Sequence, residues 1–283
     1  ADIRVKTDKP FALNFLIFMP NEAGFEAALE ARPAAMAFAW PRPEQDLKPF
    51  FDRAHEAGCK VTFMAGDVPE ARRAAEAGAD VIIAQGSEAG GHNFGTLPLF
   101  ALLPLVVDAV APTMVLAAGG ITDGRGVAAA LSLGADGVWV GTRLVATQEA
   151  DIAPGYGQRL TEAQAEDAVL TSVYGQDQPH FNPFRVLNND TIRAYTGREN
   201  EAPNDPTNQP LLGEMDVAGT PFPIHQFASL VPMSTARGDL DQMTLPAGQG
   251  VGLVNDLPPA SDVIERMMAD AASRLKALGK AAK

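Results

Sequence analysis

Cysteine is almost missing from this sequence: Cys59 is the only one among 283 residues. A single thiol excludes an internal disulfide framework and a cysteine-based metal cluster, and it fits a reducing compartment. Cys59 itself reads as a small buried hydrophobe. Positive charge is also short. With 22 Lys and Arg against 35 Asp and Glu the formal net charge is -13, so a polyanion would meet repulsion instead of counterion release, and nucleic acid is not an expected partner. Long apolar runs are lacking too. None approaches the ~18 residues of a spanning helix, and Ala1 to Pro10 (ADIRVKTDKP) has no basic region followed by an apolar stretch. The expectation is a cytoplasmic protein with no membrane partner. What the sequence does have is apolar mass, 46% hydrophobic against 20% charged. That is enough for one barrel-sized domain or two smaller ones, and too much for a disordered chain.

The first half alternates short apolar runs with helix-period stretches. Strands are predicted at Phe11 to Phe18, Ala34 to Trp40, Lys60 to Ala65, Asp80 to Gln85, Thr113 to Ala118 and Ala135 to Val140. Helices are predicted between them at Glu22 to Ala31, Gln45 to Ala57, Pro69 to Ala77, Leu97 to Val110 and Gly124 to Leu133. This is the rhythm of a parallel α/β sheet. The phrases AEAGADVIIAQG, from Ala75, and LSLGADGVWVGT, from Leu131, repeat one helix end, one Gly-Ala-Asp turn and one buried strand ending in glycine. They look like successive βα units of a TIM-type barrel. After Glu149 the rhythm stops. Thr161 to Leu170 and Thr191 to Tyr195 read as helices and 200–210 as a Pro/Asn-rich loop, which gives a mainly helical cover over 150–244. The chain then returns to the barrel portion (1–149) through the glycine-rich 245–258 and closes on a helix from Pro259 to Leu278, within 245–283.

In such a barrel the loops after strands build the catalytic face, and loops late in the chain commonly hold a phosphate on backbone N–H groups. Gly119-Gly120 and Gly141-Thr142 end two successive strands, so a phosphate could approach their main chain unhindered by a Cβ, with the Thr142 hydroxyl as a further donor. The plainer alternative is that these glycines only make tight βα turns. Ala84 to His92 (AQGSEAGGH) crowds Gln85, Gly90, Gly91 and His92 onto one strand end. Gly90 and Gly91 would admit a planar ring, and His92 could donate to or accept a proton from a substrate above it; a structural histidine is the alternative. Asn14 interrupts the apolar run Phe11 to Phe18, and either the backbone or a ligand satisfies its amide.

The phrases AQGSEAGGH, AAGGITDGRGVAAALSLGADGVWVGTRLVATQE and LPAGQGVGL resemble those of the nitronate monooxygenase family, formerly called 2-nitropropane dioxygenases. The likeness runs from about Lys6 to Glu149 and resumes near Leu245; 151–243 matches weakly. The resemblance implies an FMN-containing TIM barrel that oxidises alkyl nitronates, or nitroalkanes, with O2 to a carbonyl compound and nitrite. Electrons would pass singly to the flavin, without NAD(P)H and without a metal. It further implies that Gly119, Gly120, Gly141 and Thr142 bind the FMN phosphate, that Asn14, Gln85 and Gly90 line the flavin, with Gln249 as a further flavin-side candidate, and that His92 acts on the substrate. FMN rather than FAD is expected, since no GxGxxG stands on an opening strand. A homodimer is left open.

Two departures from the family pattern matter. Met64 stands where family members often carry Gln or Lys, and two opening βα units, with a Pro-Met phrase at the flavin, are not found before Phe11. An N-terminally incomplete barrel is therefore expected: about six parallel strands instead of eight, a gap beside Phe11 to Phe18, a flavin site lacking one wall, and Ala1 to Lys9 at the end of a helix. The nearest rival function is an NAD(P)H-dependent FMN reductase of enoyl thioesters or quinones. A non-catalytic flavin- or phosphate-binding module and a phosphosugar lyase or isomerase are more distant ones.

Overall fold

A computed structural model of the chain describes residues 2–19, 21–93, 95–176 and 182–281. Helix α1 (Asp2–Lys6) opens it, and the Arg4 guanidinium reaches across to the carbonyls of Ala31 and Arg32. Five units follow: β1 (Ala12–Leu16), α2 (Glu22–Ala31), β2 (Ala35–Ala39), α3 (Lys48–Glu56), β3 (Lys60–Ala65), α4 (Val68–Glu76), β4 (Val81–Gln85), a short strand β5 (Gly91–His92), α5 (Leu99–Val110), β6 (Met114–Ala118) and α6 (Gly124–Ser132). Strand β7 (Gly137–Trp139) completes the series.

Six of these strands form one parallel sheet in the order β1-β2-β3-β4-β6-β7. The expected count, helix order and parallel direction are therefore all present, and β1 and β7 are edge strands. The outward face carries the core. Phe38, Val61, Phe63, Ile82, Ala84, Val115 and Ala117 alternate along their strands and pack with Phe51, Ala71, Leu102 and Val106 of the helices. The inward positions are the other set, among them Asn14, Ala37, Thr62, Met64, Gln85, Ala118 and Trp139. The sheet does not close over them, and Trp139 is 38% exposed.

Beyond β7 come α7 (Thr142–Val145), α8 (Tyr156–Glu162), β8 (Ala168–Thr171), β9 (Phe184–Leu187), α9 (Asp190–Tyr195), β10 (Leu211–Val217), β11 (Thr220–His225), β12 (Arg237–Gly238) and α10 (Ala260–Ala281). The helical expectation for the cover needs correction here. Helix α8 stops at Glu162, and most of Thr161 to Leu170 is an extended segment, a 3-10 turn and strand β8. Its Ala and Glu residues favour helix locally, but β8 pairs along its length with β9, and that tertiary pairing overrides a weak propensity. The cover thus holds two small antiparallel sheets beside α8 and α9: β5-β9-β8 and β11-β10-β12. The first takes a strand from the barrel half, since β5 lies in the loop after β4. In the second, β10 and β11 turn through Ala218 and Gly219, both at positive φ, as a two-residue hairpin requires.

Helix α10 returns to the barrel half and packs on α6. A Cβ at Gly124 would lie 2.6 Å from the Met267 carbonyl, so glycine permits that close crossing. Among the described residues no helix is long and apolar enough to cross a membrane, and no group of three or more His, Cys, Asp or Glu is placed to hold a metal ion.

Candidate active site

Three loops meet at the C-terminal ends of the central strands: 86–92 after β4, 119–123 after β6, and 246–250 on the return from the cover. They enclose a cleft of ≈ 120 Å³ lined by Gln85, Gly90, Gly119, Gly120, Gly141 and Thr142 together with Met64, Thr122, Trp139, Gly248 and Gly250. Two larger grooves, ≈ 510 and ≈ 600 Å³, flank β1 and are lined largely by its own residues and α2. They follow from β1 being an edge strand. Chemistry rather than size selects the cleft, because the glycine turns converge there.

The glycines divide by what a side chain would meet. At Gly141 the Cβ direction is empty within 4 Å, so a ligand has room against this turn. Gly119 and Gly120 are held at φ +109 and +67, a left-handed backbone that glycine adopts without strain. A Cβ at Gly90, by contrast, would stand on the main chain of Ala247 and Gly248, and one at Gly248 would lie 2.8 Å from the Glu88 carbonyl oxygen. These two let the loops touch backbone to backbone. The Thr142 hydroxyl oxygen accepts from the Gly248 N–H at 2.9 Å, and the Thr122 hydroxyl donates to the Gly250 carbonyl at 2.9 Å, which ties the return loop to the loops after β6 and β7.

His92 is held more firmly than its position in a glycine-rich loop implies. Its main chain pairs with Phe184 of β9, and its carbonyl accepts from the Gln85 amide at 3.2 Å. Its ring stacks on Phe184, with centroids 4.0 Å apart at 11°, and meets Trp40 edge-on at 5.8 Å. Trp40 follows β2 with φ +59, uncommon for a bulky side chain, and is buried with Leu16, Phe18 and Met64 packed around it. Asn93, fully buried, donates to the Gly86 carbonyl at 2.9 Å and fixes the loop from inside.

Four expected positions do not line the cleft: Asn14, Gln249, Gly91 and His92, whose ring lies against Phe184 and Trp40. Asn14 is exposed on edge strand β1 and lines one of the flanking grooves with Arg4, Phe11 and Ala27. Its amide ends up outside the glycine-lined cleft because the sheet stays open at β1. Gln249 has an exposed side chain while its N–H donates to the Glu88 carbonyl at 2.9 Å; its neighbours Gly248 and Gly250 face the cleft. Gly91 stands on the β9 pairing at φ +79 instead of on the cleft wall. Sequence reasoning missed Trp40, Phe184, Thr122, Trp139 and the two return-loop glycines. The glycines left a signal in the phrase LPAGQGVGL, and Thr122 and Trp139 lie inside the phrase from Ala117; Trp40 and Phe184 left none.

The sequence model of the family described as nitronate monooxygenase matches residues 25–270. The chain belongs to the nitronate monooxygenase family. A nitronate monooxygenase of Neurospora crassa is 33% identical over 265 residues, which cover 90% of this chain and 63% of that protein. A Rhodococcus jostii protein named as a (3aS,4S,5R,7aS)-5-hydroxy-7a-methyl-1-oxo-octahydro-1H-indene-4-carboxyl-CoA dehydrogenase is 33% identical over 96% of this chain and 81% of its own length. The solved structure of FabK from Thermotoga maritima superposes with a TM-score of 0.79 at 29% identity, covering 99% of this chain and 81% of that one. The chain spans about three fifths of the length of the monooxygenase relatives it matches first. All three motifs of the sequence reading fall inside the family match, and the three loops that carry them are the ones that enclose the cleft.

The flavin that the family implies can be tested against these residues. A phosphate monoester needs several N–H or O–H donors and a main chain free of Cβ atoms. Gly119, Gly120, Gly141 and Thr142 supply that combination, with open space at Gly141. A flat ring needs apolar sides and an amide at its edge, and Met64, Trp139 and Gln85 line the same cleft. The donor set is neutral, since no cleft-lining side chain is ionisable.

Proposed function

We propose that the chain carries out FMN-dependent oxidation of alkyl nitronates by O2 to a carbonyl compound and nitrite. The observation that supports it most is His92, stacked on Phe184 and tied through its carbonyl to Gln85 of a cleft whose turns suit a phosphate. When bound, FMN supplies the electron acceptor that links substrate oxidation to O2. The glycine turns would hold its phosphate, and Gln85 would meet the ring edge. The His92 imidazole would take a proton from the carbon beside the nitro group of a neutral nitroalkane, or hydrogen-bond a nitronate already formed. Trp40 and Phe184 restrict how that ring can turn. The proposed site is small-molecule in scale, with no nucleic acid as partner, and a cytoplasmic location belongs to the same proposal.

The direct test is an absorption spectrum of the purified chain, heat extraction of its chromophore, and nitrite release from an alkyl nitronate in air. The expected result is a yellow protein that releases FMN and forms nitrite. Extracted FAD, or a flavoprotein inert to nitronates, would overturn the reading.

A second reading has a specific observation behind it. The Rhodococcus dehydrogenase, named for a CoA-thioester substrate, matches over a larger share of its own length than the Neurospora monooxygenase does. Under that reading the cleft would serve NAD(P)H-dependent reduction of an enoyl thioester or a quinone, or the oxidation of a CoA thioester. Anaerobic bleaching of the flavin by NADH or NADPH favours it; reduction by a nitronate alone favours the first.

A further inference from the structure

Strand β9 belongs to the cover, yet it grips the loop that carries His92 at two points. Its main chain pairs with Gly91 and His92, and the side chain of Arg185, opposite Gly91, returns to the start of the loop. The Arg185 Nε and Nη2 groups both donate to the Ser87 carbonyl, at 3.1 and 2.8 Å, and Nη1 donates to the Ala168 carbonyl of β8 at 2.7 Å. The residue is buried; burial lowers its pKa against the through-space pull of the Glu88 carboxylate, and its hydrogen bonds go to the Ser87 and Ala168 carbonyls. Burying a cation is costly, and an apolar residue of similar size would fill the same space with less desolvation. Only a rigid planar fork can seize one carbonyl with two N–H groups and a second carbonyl with a third. The next residue along β9, Phe184, is the one whose ring stacks on His92.

We infer that Arg185 is a positioning residue: its fork on Ser87 and Ala168 holds the 86–92 loop in the place where His92 stays stacked on Phe184 and bonded through its carbonyl to the cleft-lining Gln85. The inference rests on the role given to His92 under the proposed function. The turns at 119–120 and 141–142 lie on other strands, but the 86–92 loop packs on Gly119 and Gly120 and lines the cleft through Gly90, so flavin affinity has to be measured beside His92 placement.

The test uses the FMN-loaded full chain with Arg185→Met and Arg185→Lys. For Arg185→Met, kcat on a neutral nitroalkane is expected to fall about tenfold to 10²-fold, as a displaced catalytic group does. The loss on preformed nitronate is expected to be smaller, and flavin titration of the variant gives the part of any loss that comes through Gly90. Placed on His92→Asn, the same change is expected to add no further loss, because Arg185 acts only through that ring. A readout free of turnover is the ε1 proton of His92, assigned by its disappearance in His92→Asn. Stacking on Phe184 shields it, so Arg185→Met is expected to move it downfield and Arg185→Lys part of the way. Equal loss on both substrates, a full additional loss in the His92→Asn background, or an unmoved His92 signal would each overturn the inference. If the parent chain turns over neither substrate, the proposed function fails and the proton signal alone decides on Arg185. If Arg185→Met does not fold, Arg185→Lys, which keeps the charge and loses the fork, decides it in the same way.

Discussion

The barrel half and the cover contribute to the same site by different means. From the barrel half come main-chain turns: Gly119, Gly120 and Gly141 at strand ends, with Thr142 beside them. The cover supplies side chains that arrive by strand pairing: Phe184 against His92 and Arg185 onto Ser87. A turn's position follows from its own strand and its neighbours a few residues away. The register of β5 on β9 joins residues more than ninety apart, so its effect on His92 depends on the whole path of the cover. The lesson is that the glycine-rich phrases of the barrel half locate a cleft, while the orientation of the His92 ring is decided by a strand of the cover.

The largest expected effect bears on what the barrel loop alone carries. His92→Asn keeps the β5 pairing, which is main-chain, and removes the base. Turnover of a neutral nitroalkane is expected to fall ~10²- to 10⁴-fold, the usual contribution of a positioned general base. With preformed nitronate the loss is expected to be smaller, since no C–H proton remains to be taken. Steady-state kinetics with both substrates checks this, and equal activity of mutant and parent on both removes His92 from the mechanism.

A second pair of substitutions separates turns made for a ligand from turns made for packing. Gly90→Ala drives a Cβ into the main chain of Ala247 and Gly248, so it is expected to lower stability by about 1–3 kcal/mol, the range for overpacking. Gly141→Ala meets open space at a φ that alanine accepts, so stability is expected to hold within about 0.5 kcal/mol while FMN affinity falls. Urea unfolding of the flavin-free variants and flavin titration give the two numbers. If Gly141→Ala binds FMN as the parent does, the phosphate does not rest on that turn.

These outcomes also measure how much the sequence discloses. All six parallel strands are legible because each is a short apolar run ending at a glycine or a turn, even though the edge strands β1 and β7 keep exposed positions. The cover is not, for physical reasons that differ by element. Strand β8 is short and follows the helix-favouring Ala and Glu residues of 162–166, and its partner β9 is more than ten residues further on. Strand β11 carries Pro221 and Pro223, which in sequence argue against a strand and are tolerated here because β11 is an edge. Trp40 reads as the last residue of a strand, and nothing local announces its left-handed backbone. Asn14 was placed by its polarity inside an apolar run, but polarity fixes only which face it takes, and that face is open at β1. Glycine-rich 246–250 is legible as a site segment, though not which of its residues face inward.

The smallest expected effect concerns Glu70, which tests whether the barrel half holds a carboxyl group perturbed by burial outside the glycine-lined cleft. Glu70 is in the first turn of α4, and its carboxylate accepts from the Gly66 N–H at 3.0 Å while Asp67 caps the Glu70 N–H at 2.8 Å. Burial pushes its carboxyl up to about 7 from an ordinary value of 4.5, against the pull of the Gly66 hydrogen bond. The sign follows from proton counting. Between pH 4.5 and about 7 the unfolded chain has lost this proton and the folded chain keeps it, so stability falls as pH rises through that window. Below the window neither state is ionised; above it both are, and the loss is complete. Glu70→Gln keeps an acceptor for Gly66 and cannot ionise. The parent is therefore expected to lose more stability than the variant between pH 5 and pH 8, by on the order of 1–2 kcal/mol after allowance for partial solvent access, or a few degrees in melting temperature. Thermal melts of both proteins at the two pH values decide it. Parallel pH dependence in the two would show that Glu70 ionises as it does in water.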